Sequence, residues 1–424
     1  TTEIYTLSLH DALPISAYYT NVVAMSVANN NAFIEDQRYS PAKLTPVYVD
    51  ASVPTCTDCG TARMPYDTIQ EGIDRVIPGG TVHVVSGTYY GPVVVNKSLT
   101  LVSTSGAATT IINGGATSTN LSQGLYILSI RASNVKVDGF TITNPLFNST
   151  WQSDPTGIMI GYYGDNTLSN ISVTNNIITQ TTDPNFIVNY NAPHGITVNG
   201  VVAGLEIDHN VIHDLASIVP VGYGGTTGIA LYGYDTTPLS TLVTIHDNEI
   251  YDLRVVNQAG GTAVARGIRT GWGAGGATIS ANDIHDFAGI GVQTNYYTNA
   301  AVTISGNTIT DTAIGVSMEH PAGGSITGNT ISGDGTGIQI GASVTTAPTI
   351  TGNNVNMAVL QLHDGSTGAV LDLPTVFGAN TWAPFSIISG RDILVPAPVH
   401  NVTKDTYFST IQAAIDDEIG RAHV

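Results

Sequence analysis

The sequence predicts an all-β solenoid, a fold in which short strands stack coil upon coil. The first observation is a short phrase that recurs over residues 195–354 and centres each time on an asparagine. The second is a Gly-Ile or Gly-Val pair that returns between these copies. Two markers that repeat together indicate a repeat architecture. The third is composition: 46 glycines and 11% charged residues in a chain of 424 favour many short strands and turns.

The asparagine phrase reads, for example, ISGNTITD and ITGNTISG. Strand alternation directs Ile304 and Ile309 inward and Ser305 and Thr308 outward, with Gly306–Asn307 in the turn between them. Identical asparagines at one turn of successive coils can form a ladder of amide hydrogen bonds. The sequence therefore predicts a structural ladder. Its members are Asn176, Asn210, Asn248, Asn282, Asn307, Asn329 and Asn353.

These phrases resemble the repeats of the pectate-lyase-like superfamily of right-handed parallel β-helix proteins. The segment PYDTIQEGID (65–74) and the alternating strands after it resemble the first coils of its bacterial extracellular members. The resemblance implies a single-stranded right-handed parallel β-helix over residues 47–357, with a short N-terminal capping helix over residues 68–77. Such a helix would cover the unpaired backbone of the first coil. The superfamily contains lyases, hydrolases, epimerases and non-catalytic surface proteins, so the fold does not specify an activity.

Segments outside the repeat are assigned separately. Residues 1–16 and 418–424 resemble translated sequencing adapters and are left out of the fold prediction. Residues 17–46 show no period and remain unassigned, and residues 358–400 are expected to hold final coils or a linker. TYFSTIQAAIDD (406–417) repeats the form of PYDTIQEGID, so residues 401–417 are predicted to begin a second β-helix domain. We expect a larger tandem protein, extracellular or at the cell surface, whose signal peptide is not observable in this fragment.

The charge balance limits the possible partners. With a formal net charge of −19 and only 13 lysines and arginines, nucleic acid binding is very unfavourable. No apolar run reaches the roughly 18–20 residues of a transmembrane helix, so no membrane insertion is predicted. An acidic surface also repels polyuronates unless Ca²⁺ or a local basic patch intervenes.

Candidate metal ligands are few. Cys56 and Cys59 form half of a zinc site at most, and a local structural disulfide in an oxidising compartment is favoured over free thiols. His213, Tyr251 and His285 share one position in three coils. Aspartates follow in the same row, and the row consists of Asp214, Asp252, Asp286 and Asp311, with His209 and His246 nearby. These aspartates are expected to stabilise turns, and no metal site is predicted. If a metal binds, Ca²⁺ is more plausible than zinc.

The residues after each Gly-Ile marker predict one outward face rich in aromatic side chains. Sugar rings stack on aromatic faces, and a rung spacing of about 4.8 Å roughly matches a hexose unit. Insertions over residues 144–156, 179–194, 215–227 and 253–266 are expected to form cleft walls beside it. We therefore predict polysaccharide contact, although tyrosines also decorate β-helix exteriors without a ligand. The predicted contacts are Tyr162, Tyr163, Asn199, Tyr232, Tyr234, Trp272, Asn295, Tyr296, Tyr297, Glu319 and His320.

Catalysis on this face is an open alternative. A uronate lyase needs a base for the C5 proton and a positive group on the carboxylate, which Arg266, Arg269, His194 and Tyr232 could supply. Glycoside hydrolysis needs paired carboxylates, and the face offers few of them. The sequence also lacks the signatures of the superfamily's polygalacturonases and pectate lyases. It therefore favours a glycan-binding module over a polysaccharide lyase.

Overall fold

The computed structural model describes most of the region from residue 45 to residue 383. In full, the described residues are 27–28, 31–32, 45–56, 59–114, 126–143, 155–162, 167–179, 193–219, 225–232, 240–257, 262–271, 276–295, 300–383, 388–390, 399–401 and 406–408. Three parallel sheets of 11 strands each, here called sheets A, B and C, run the length of a solenoid. The chain visits A, B and C in turn in each coil. The predicted right-handed parallel β-helix is confirmed.

The three sheets have the following strands. Sheet A consists of Val47–Val49, Gly80–Val84, Leu99–Ser103, Val135–Asp138, Leu168–Thr174, Val202–Asp208, Thr241–His246, Ala277–Ser280, Val302–Ser305, Gly324–Thr327 and Thr349–Thr351. Sheet B consists of Gly87–Tyr90, Thr110–Asn113, Thr141–Thr143, Ile177–Thr179, Val211–His213, Glu249–Tyr251, Asp283–His285, Thr308–Ile309, Thr330–Gly333, Asn354–Met357 and Thr381–Trp382. Sheet C consists of Val93–Val95, Tyr126–Ile130, Thr156–Ile160, His194–Asn199, Thr227–Tyr232, Ala265–Gly271, Phe287–Thr294, Thr312–Met318, Thr336–Ile340, Leu360–Asp364 and Ile388–Gly390.

Three smaller pairs of strands lie outside these sheets. Ala216–Val219 and Arg254–Asn257 pair in parallel within two of the insertions that precede sheet C. Val27–Ala28 pairs with Asn31–Ala32, and Val399–Asn401 pairs with Thr406–Phe408, both antiparallel. The remaining residues of the four insertions, which are 144–154, 180–192, 220–224 and 258–261, lie outside the described part of the chain.

The core consists of stacked columns of aliphatic side chains. In sheet C, Ile196, Ile229, Ile268, Val292 and Val316 pair in register, and all five are fully buried. Their predicted inward direction agrees with this burial. A shift in the pairing of one strand would move its apolar residues out of the core. The register is therefore the same in every pair of these strands, although the coils differ in length.

The asparagines predicted to form a ladder lie in the turn between sheets A and B and are hydrogen-bonded in series. The side-chain oxygen of Asn248 accepts from the backbone N–H of Asn210 at 3.0 Å and from its Nδ2 at 2.9 Å. Asn210 Nδ2 also donates to the carbonyl of Val173 in the preceding coil. The same bonds to the next asparagine recur from Asn176 to Asn353. The ladder then continues to Asn380, an eighth member that the sequence did not predict.

The glycines of the Gly-Ile marker leave no room for a side chain. A Cβ on Gly228 would lie 2.6 Å from the carbonyl oxygen of Gly267 and 2.8 Å from Cγ2 of Ile250. Ile250 stands two positions after Asn248 of the ladder, so the two sequence markers pack against each other. Equivalent close approaches occur at Gly157, Gly195, Gly267, Gly291 and Gly315. The glycine therefore permits the close stacking of neighbouring coils.

Helix α1 (Ile69–Arg75) closes the N-terminal end, as predicted. The Thr68 side chain caps it by accepting from the N–H of Glu71, and Ile69 and Ile73 are buried. Gln70 accepts from the backbone N–H of Val94 at 2.8 Å, and Val94 lies in the edge strand of sheet C. This helix thus satisfies edge groups that would otherwise be open to pairing with another chain. A second short helix, α2 (Leu373–Gly378), lies near the other end.

We expect Asn282→Ala to lower the free energy of unfolding by about 3 kcal/mol. The substitution removes the oxygen that accepts from Asn248, and it leaves buried donors and acceptors without partners. Urea unfolding followed by circular dichroism measures the change. Asn356→Ala is the matched control, because Asn356 is exposed on sheet B and outside the ladder. Equal effects of the two substitutions would contradict the structural role of the ladder.

We expect Gly228→Ala to destabilise the fold by about 1–3 kcal/mol, because its Cβ has to enter a packed coil interface. Gly378→Ala provides the comparison, since a Cβ there meets no atom within 4 Å. Thermal unfolding midpoints of the two variants test the prediction. A Gly228→Ala protein as stable as the Gly378→Ala protein would show that the coils can separate to admit a methyl group.

Candidate functional site

The outward side of sheet C, here called the C face, carries three columns of side chains along the solenoid. The first column contains Tyr126, Thr156, His194, Thr227 and Arg266. The second contains Ser129, Met159, Thr197, Ala230, Arg269, Gln293 and Ser317. The third contains Asn199, Tyr232 and Gly271, extended by Arg131 and Gly161 at one end and by Asn295 and Glu319 at the other. Neighbouring rungs stand about 4.8 Å apart.

The structure brings together the four residues predicted to act in catalysis. The Arg269 guanidinium lies over the Tyr232 ring, 5.8 Å from its centroid, and its Nη1 donates to the Tyr232 hydroxyl at 3.3 Å. The His194 ring meets the edge of Tyr232 at a centroid distance of 5.9 Å. Arg266 lies in the same strand as Arg269 and also points outward. His194 itself is almost fully buried, whereas Tyr232 and both arginines are partly exposed.

Arg266 is held by a relay of polar side chains that crosses three coils. Its Nε donates to Gln293, and Gln293 Nε2 donates to the Glu319 carboxylate at 3.0 Å. Ser317 donates to the same carboxylate oxygen at 2.9 Å. Burial lowers the pKa of Arg266 to about 10, and the positive charge of Arg269 acts in the same direction. Arg266 therefore remains charged at neutral pH, but its charge is partly removed from water.

Two further C-face residues, Tyr126 and Arg131, escaped the sequence analysis, whereas their neighbour Tyr162 was predicted. The Arg131 guanidinium lies 4.9 Å from the centroid of the Tyr162 ring. Burial raises the pKa of the Tyr126 hydroxyl; Arg131 opposes this shift and Tyr162 adds to it. Ile127 stands where later coils have the marker glycine. A search for that glycine therefore begins one coil too late to find Tyr126 and Arg131.

The predicted glycan contacts differ in their exposure to solvent. His320 is fully buried, with its Nδ1 2.7 Å from Thr294 Oγ1, and burial lowers its pKa. The structure thus shows no exposed surface on this side chain, and its role as a ligand contact stays a prediction. Asn295 is also buried, whereas Tyr162, Asn199 and Glu319 are partly exposed. The other predicted contacts lie outside the described residues, and these are Tyr163, Tyr234, Trp272, Tyr296 and Tyr297.

Charges are unevenly distributed among the three sheets. The described sheet C strands from Tyr126 to Met318 contain Arg266 and Arg269 but no aspartate or glutamate. Over the same coils, the strands of sheets A and B hold five carboxylates, and these are Asp138, Glu206, Asp208, Glu249 and Asp283. Glu319, which follows the Met318 strand, is the carboxylate that the described C face presents near the two arginines, so sheet C differs from sheets A and B in the sign of its strand charges. Clefts of one charge sign concentrate ligands of the other sign.

The histidine row lies on sheet B as a stack of parallel rings. Tyr251 stacks on His213 at 5.0 Å and on His285 at 5.1 Å. Asp214 and Asp286 adopt left-handed backbone conformations, and their carboxylates contact Nδ1 of the preceding histidines. Among the described residues, no group of three or more His, Cys, Asp or Glu is arranged to hold a metal ion. Ca²⁺ stays the expected ion in the case that a metal binds to the aspartate row.

Two further features bear on the environment of the protein. Cys56 and Cys59 form a disulfide bond, with their Cα atoms 5.8 Å apart. In the described part of the chain, none of the helices combines the length and the apolar character needed to cross a membrane.

Comparison with known families gives one match. Residues 203–370 match the family described as "Periplasmic copper-binding protein (NosD)". This region holds the six asparagine phrases from Asn210 to Asn353 and less than half of the chain. A comparison with curated protein sequences gives no significant match.

Solved structures with a similar course of the chain include three carbohydrate-active proteins. The mannuronan C-5 epimerase AlgE6 A-module of Azotobacter vinelandii is 17% identical, with a TM-score of 0.39, and the alignment covers 72% of this chain and 91% of that one. A rhamnogalacturonan lyase is 12% identical, with a TM-score of 0.44 and coverages of 80% and 86%. DFA-IIIase from Arthrobacter chlorophenolicus A6 is 12% identical, with a TM-score of 0.33 and coverages of 81% and 94%. Likeness at this level does not extend to activity.

We expect the stability of the fold to fall as the pH rises from about 6 to about 8, through two histidines. Burial opposes protonation of His246 and His285, but carboxylates outweigh it and raise both pKa values; Asp247 and Glu206 act on His246, and Asp286 acts on His285. A raised folded-state pKa gives stability that is complete below the unfolded value of about 6.5 and is lost as the pH passes the folded value.

Unfolding temperatures across this pH range test the expectation. The double variant His246→Gln/His285→Gln should show a flatter pH dependence than the unsubstituted protein. Tyr251→Phe is the control, since it keeps the ring between the histidines and adds no group that titrates in this range. An unchanged slope in the double variant would show that other groups set the pH dependence.

Proposed function

We propose that this right-handed parallel β-helix is a module of a larger secreted or cell-surface protein that binds an acidic polysaccharide on its C face. One observation carries the proposal. Arg266 and Arg269 point outward from sheet C strands that contain no carboxylate between Tyr126 and Met318, in a chain of net charge −19. Two arginine charges this close together attract an anion.

The environment of the arginines strengthens the attraction for an anion. Arg266 is only partly exposed, and the Glu319 carboxylate is connected to it through Gln293. Charges that are partly withdrawn from water interact more strongly than exposed ones. A carboxylate of a uronic acid would therefore form charge-assisted hydrogen bonds with the guanidinium groups.

The aromatic side chains favour a sugar over another anion. Tyr232 is partly exposed between His194 and Arg269, and its ring is held by both contacts. A sugar ring can pack on such a preoriented aromatic surface at low entropic cost. The rungs repeat at about 4.8 Å, which suits a ligand that is itself a repeating chain.

We also propose that the protein is located outside the cytoplasm. The disulfide between Cys56 and Cys59 is typical of an oxidising compartment. The family matched by residues 203–370 is described as periplasmic, which also favours a place outside the cytoplasm. Acidic polysaccharides are accessible to a protein in that location. We also propose that the protein is covalently linked to further β-helix domains. This proposal rests only on the second copy of the PYDTIQEGID form, at residues 406–417.

A polysaccharide lyase is the second candidate, and the contact between Arg269 and Tyr232 favours it. The Tyr232 hydroxyl oxygen accepts from Arg269, an arrangement that stabilises the deprotonated oxygen as a base. Tyr232 would take the C5 proton of a uronate while Arg266 neutralises the carboxylate. The C4–O4 bond would break, a C4–C5 double bond would form, and the departing O4 would take up a proton.

We expect Arg269→Gln to weaken binding to polygalacturonate about tenfold or more, because a charge-assisted contact is lost. Isothermal titration calorimetry of the full chain gives the dissociation constants, and dextran serves as the neutral probe. Arg63→Gln is the matched control; it removes the same charge from an exposed loop before helix α1. Affinity that is unchanged in Arg269→Gln, or equal affinity for dextran, would contradict the proposal.

The same mixtures distinguish a binding module from a lyase. A lyase would generate unsaturated uronates, which absorb in the ultraviolet, and Tyr232→Phe would abolish this product while retaining most of the binding. A module without catalysis would bind and release the polymer unchanged. Titrations with and without Ca²⁺ would show whether the cation contributes to binding.

A further inference from the structure

Sheet A changes in character between its middle coils and its C-terminal coils. In the middle strands, several outward positions hold charged side chains, and these are Lys136, Asp138, Glu206 and Asp208. The last four strands contain no charged residue, and these are Ala277–Ser280, Val302–Ser305, Gly324–Thr327 and Thr349–Thr351. Every outward position in these four strands is a threonine or a serine instead.

These eight hydroxyl residues form two columns, here called the hydroxyl array. One column consists of Thr278, Thr303, Ser325 and Thr349, which pair in register, and the other consists of Ser280, Ser305, Thr327 and Thr351. The isoleucines between the columns point inward and are buried. Neighbouring residues stand about 4.8 Å apart within a column, and the columns stand about 6.6 Å apart, which is twice the rise of one strand residue. The hydroxyl groups therefore form a two-dimensional lattice.

The borders of the hydroxyl array carry only small residues. Three positions before the central isoleucine of each strand stand Gly276, Ala301, Gly323 and Ala347. Two positions after it stand Ala281, Gly306, Gly328 and Gly352, all with a positive φ. Two earlier coils have His209 and Asp247 at the latter position. A flat surface that approaches the hydroxyl array thus meets no large side chain at these border positions.

The hydroxyl groups of the array are available to a ligand. Within the described part of the chain, none of the eight side chains is hydrogen-bonded to another protein group. Five of the eight residues are threonines, whose β-branched side chains have few χ1 rotamers, so the positions of their hydroxyl groups are restricted. Groups that are held in place before a ligand arrives bind it at a lower entropic cost.

We propose that the hydroxyl array binds ice. Water oxygens on the prism faces of ice repeat at spacings close to both spacings of the array. Each of these waters donates and accepts hydrogen bonds, and a hydroxyl group does the same. Water ordered on the array would therefore join the ice lattice. The lattice is neutral, which agrees with the absence of charged residues from these four strands in a chain of net charge −19.

This inference does not depend on the proposed function, because the hydroxyl array and the C face lie on different sheets. The threonine methyl groups add to the effect. Water beside an apolar group keeps its hydrogen bonds with other water molecules and has restricted orientations. Water between the hydroxyl groups of the array is therefore already partly ordered.

Inhibition of ice recrystallisation by the full chain tests the proposal. In thin ice films held just below the melting point, we expect the unsubstituted chain to keep crystals small at concentrations at which serum albumin lets them coarsen. Thr303→Tyr should lose most of this activity, because its ring rises from the centre of the array and separates the hydroxyl groups from the ice. Ser172→Tyr is the matched control; Ser172 lies in the same column of sheet A, but between Lys136 and Glu206.

A second variant and a second measurement complete the test. Ser325→Tyr, one coil further along, should lose activity as Thr303→Tyr does, and circular dichroism in the cold confirms that each variant is folded. When ice is grown slowly from a solution of the labelled chain, the unsubstituted chain and Ser172→Tyr should enter the ice, whereas the two array variants should stay in the liquid.

Three results would overturn the proposal. The first is an unsubstituted chain that stays in the liquid and lets crystals coarsen as albumin does. The second is full activity in both Thr303→Tyr and Ser325→Tyr, since the hydroxyl array would then not be the binding surface. The third is an equal loss in Ser172→Tyr, which would show that the effect is not specific to the hydroxyl array.

Discussion

The coils from Asn176 to Asn380 depend on an asparagine in the turn between sheets A and B. That turn buries a side-chain amide, and a buried amide is costly unless its donors and acceptor are all used. No coil can satisfy its own asparagine, because the partner oxygen belongs to the next coil. The amide dipoles therefore align along the axis and reinforce each other. The series begins at the backbone N–H of Phe140 and ends at Asn380, whose Nδ2 donates to Val376 in helix α2 instead of to a ninth asparagine.

This constraint explains which parts of the fold were predictable. The asparagine phrase and the Gly-Ile marker recur because each fills one position in a packing unit, in which Ile250 covers Gly228 beside Asn248. Alternation from these fixed points gives the inward columns correctly. Asn380 was not recognised because it stands alone after helix α2, in GANTW rather than in a full phrase. The amide contacts could be predicted because the asparagine phrase repeats along the sequence. The two ends of the series could not, because they depend on local packing rather than on the repeat.

The candidate site was less predictable, for a physical reason. Gln293 contacts both Arg266 and Glu319 although the three are far apart in sequence, and these contacts depend on the register of three coils of different length. The sequence placed Arg269 and Tyr232 on one face, but burial could not be read from alternation alone. His320 was predicted to lie on the outer face beyond Glu319, yet it is fully buried, as alternation after an outward residue would direct it. Arg131 could be placed on this face only from the strand register of the structure, because its coil has Ile127 in place of the marker glycine.

The lengths of the coils indicate why the two arginines lie on this part of the C face. A parallel β-helix admits insertions only between strands, because an insertion within a strand would shift its columns out of register. The long coils before Asn282 hold His194, Tyr232 and both arginines, whereas the compact coils after Asn307 present Ser317 and Gln339 at the position of Arg269. The coils that carry the insertions are thus also the coils that carry the arginines. Scaffold and site are separable in this fold: the ladder fixes the spacing, and each coil remains free to vary its C-face side chains and the chain that borders them.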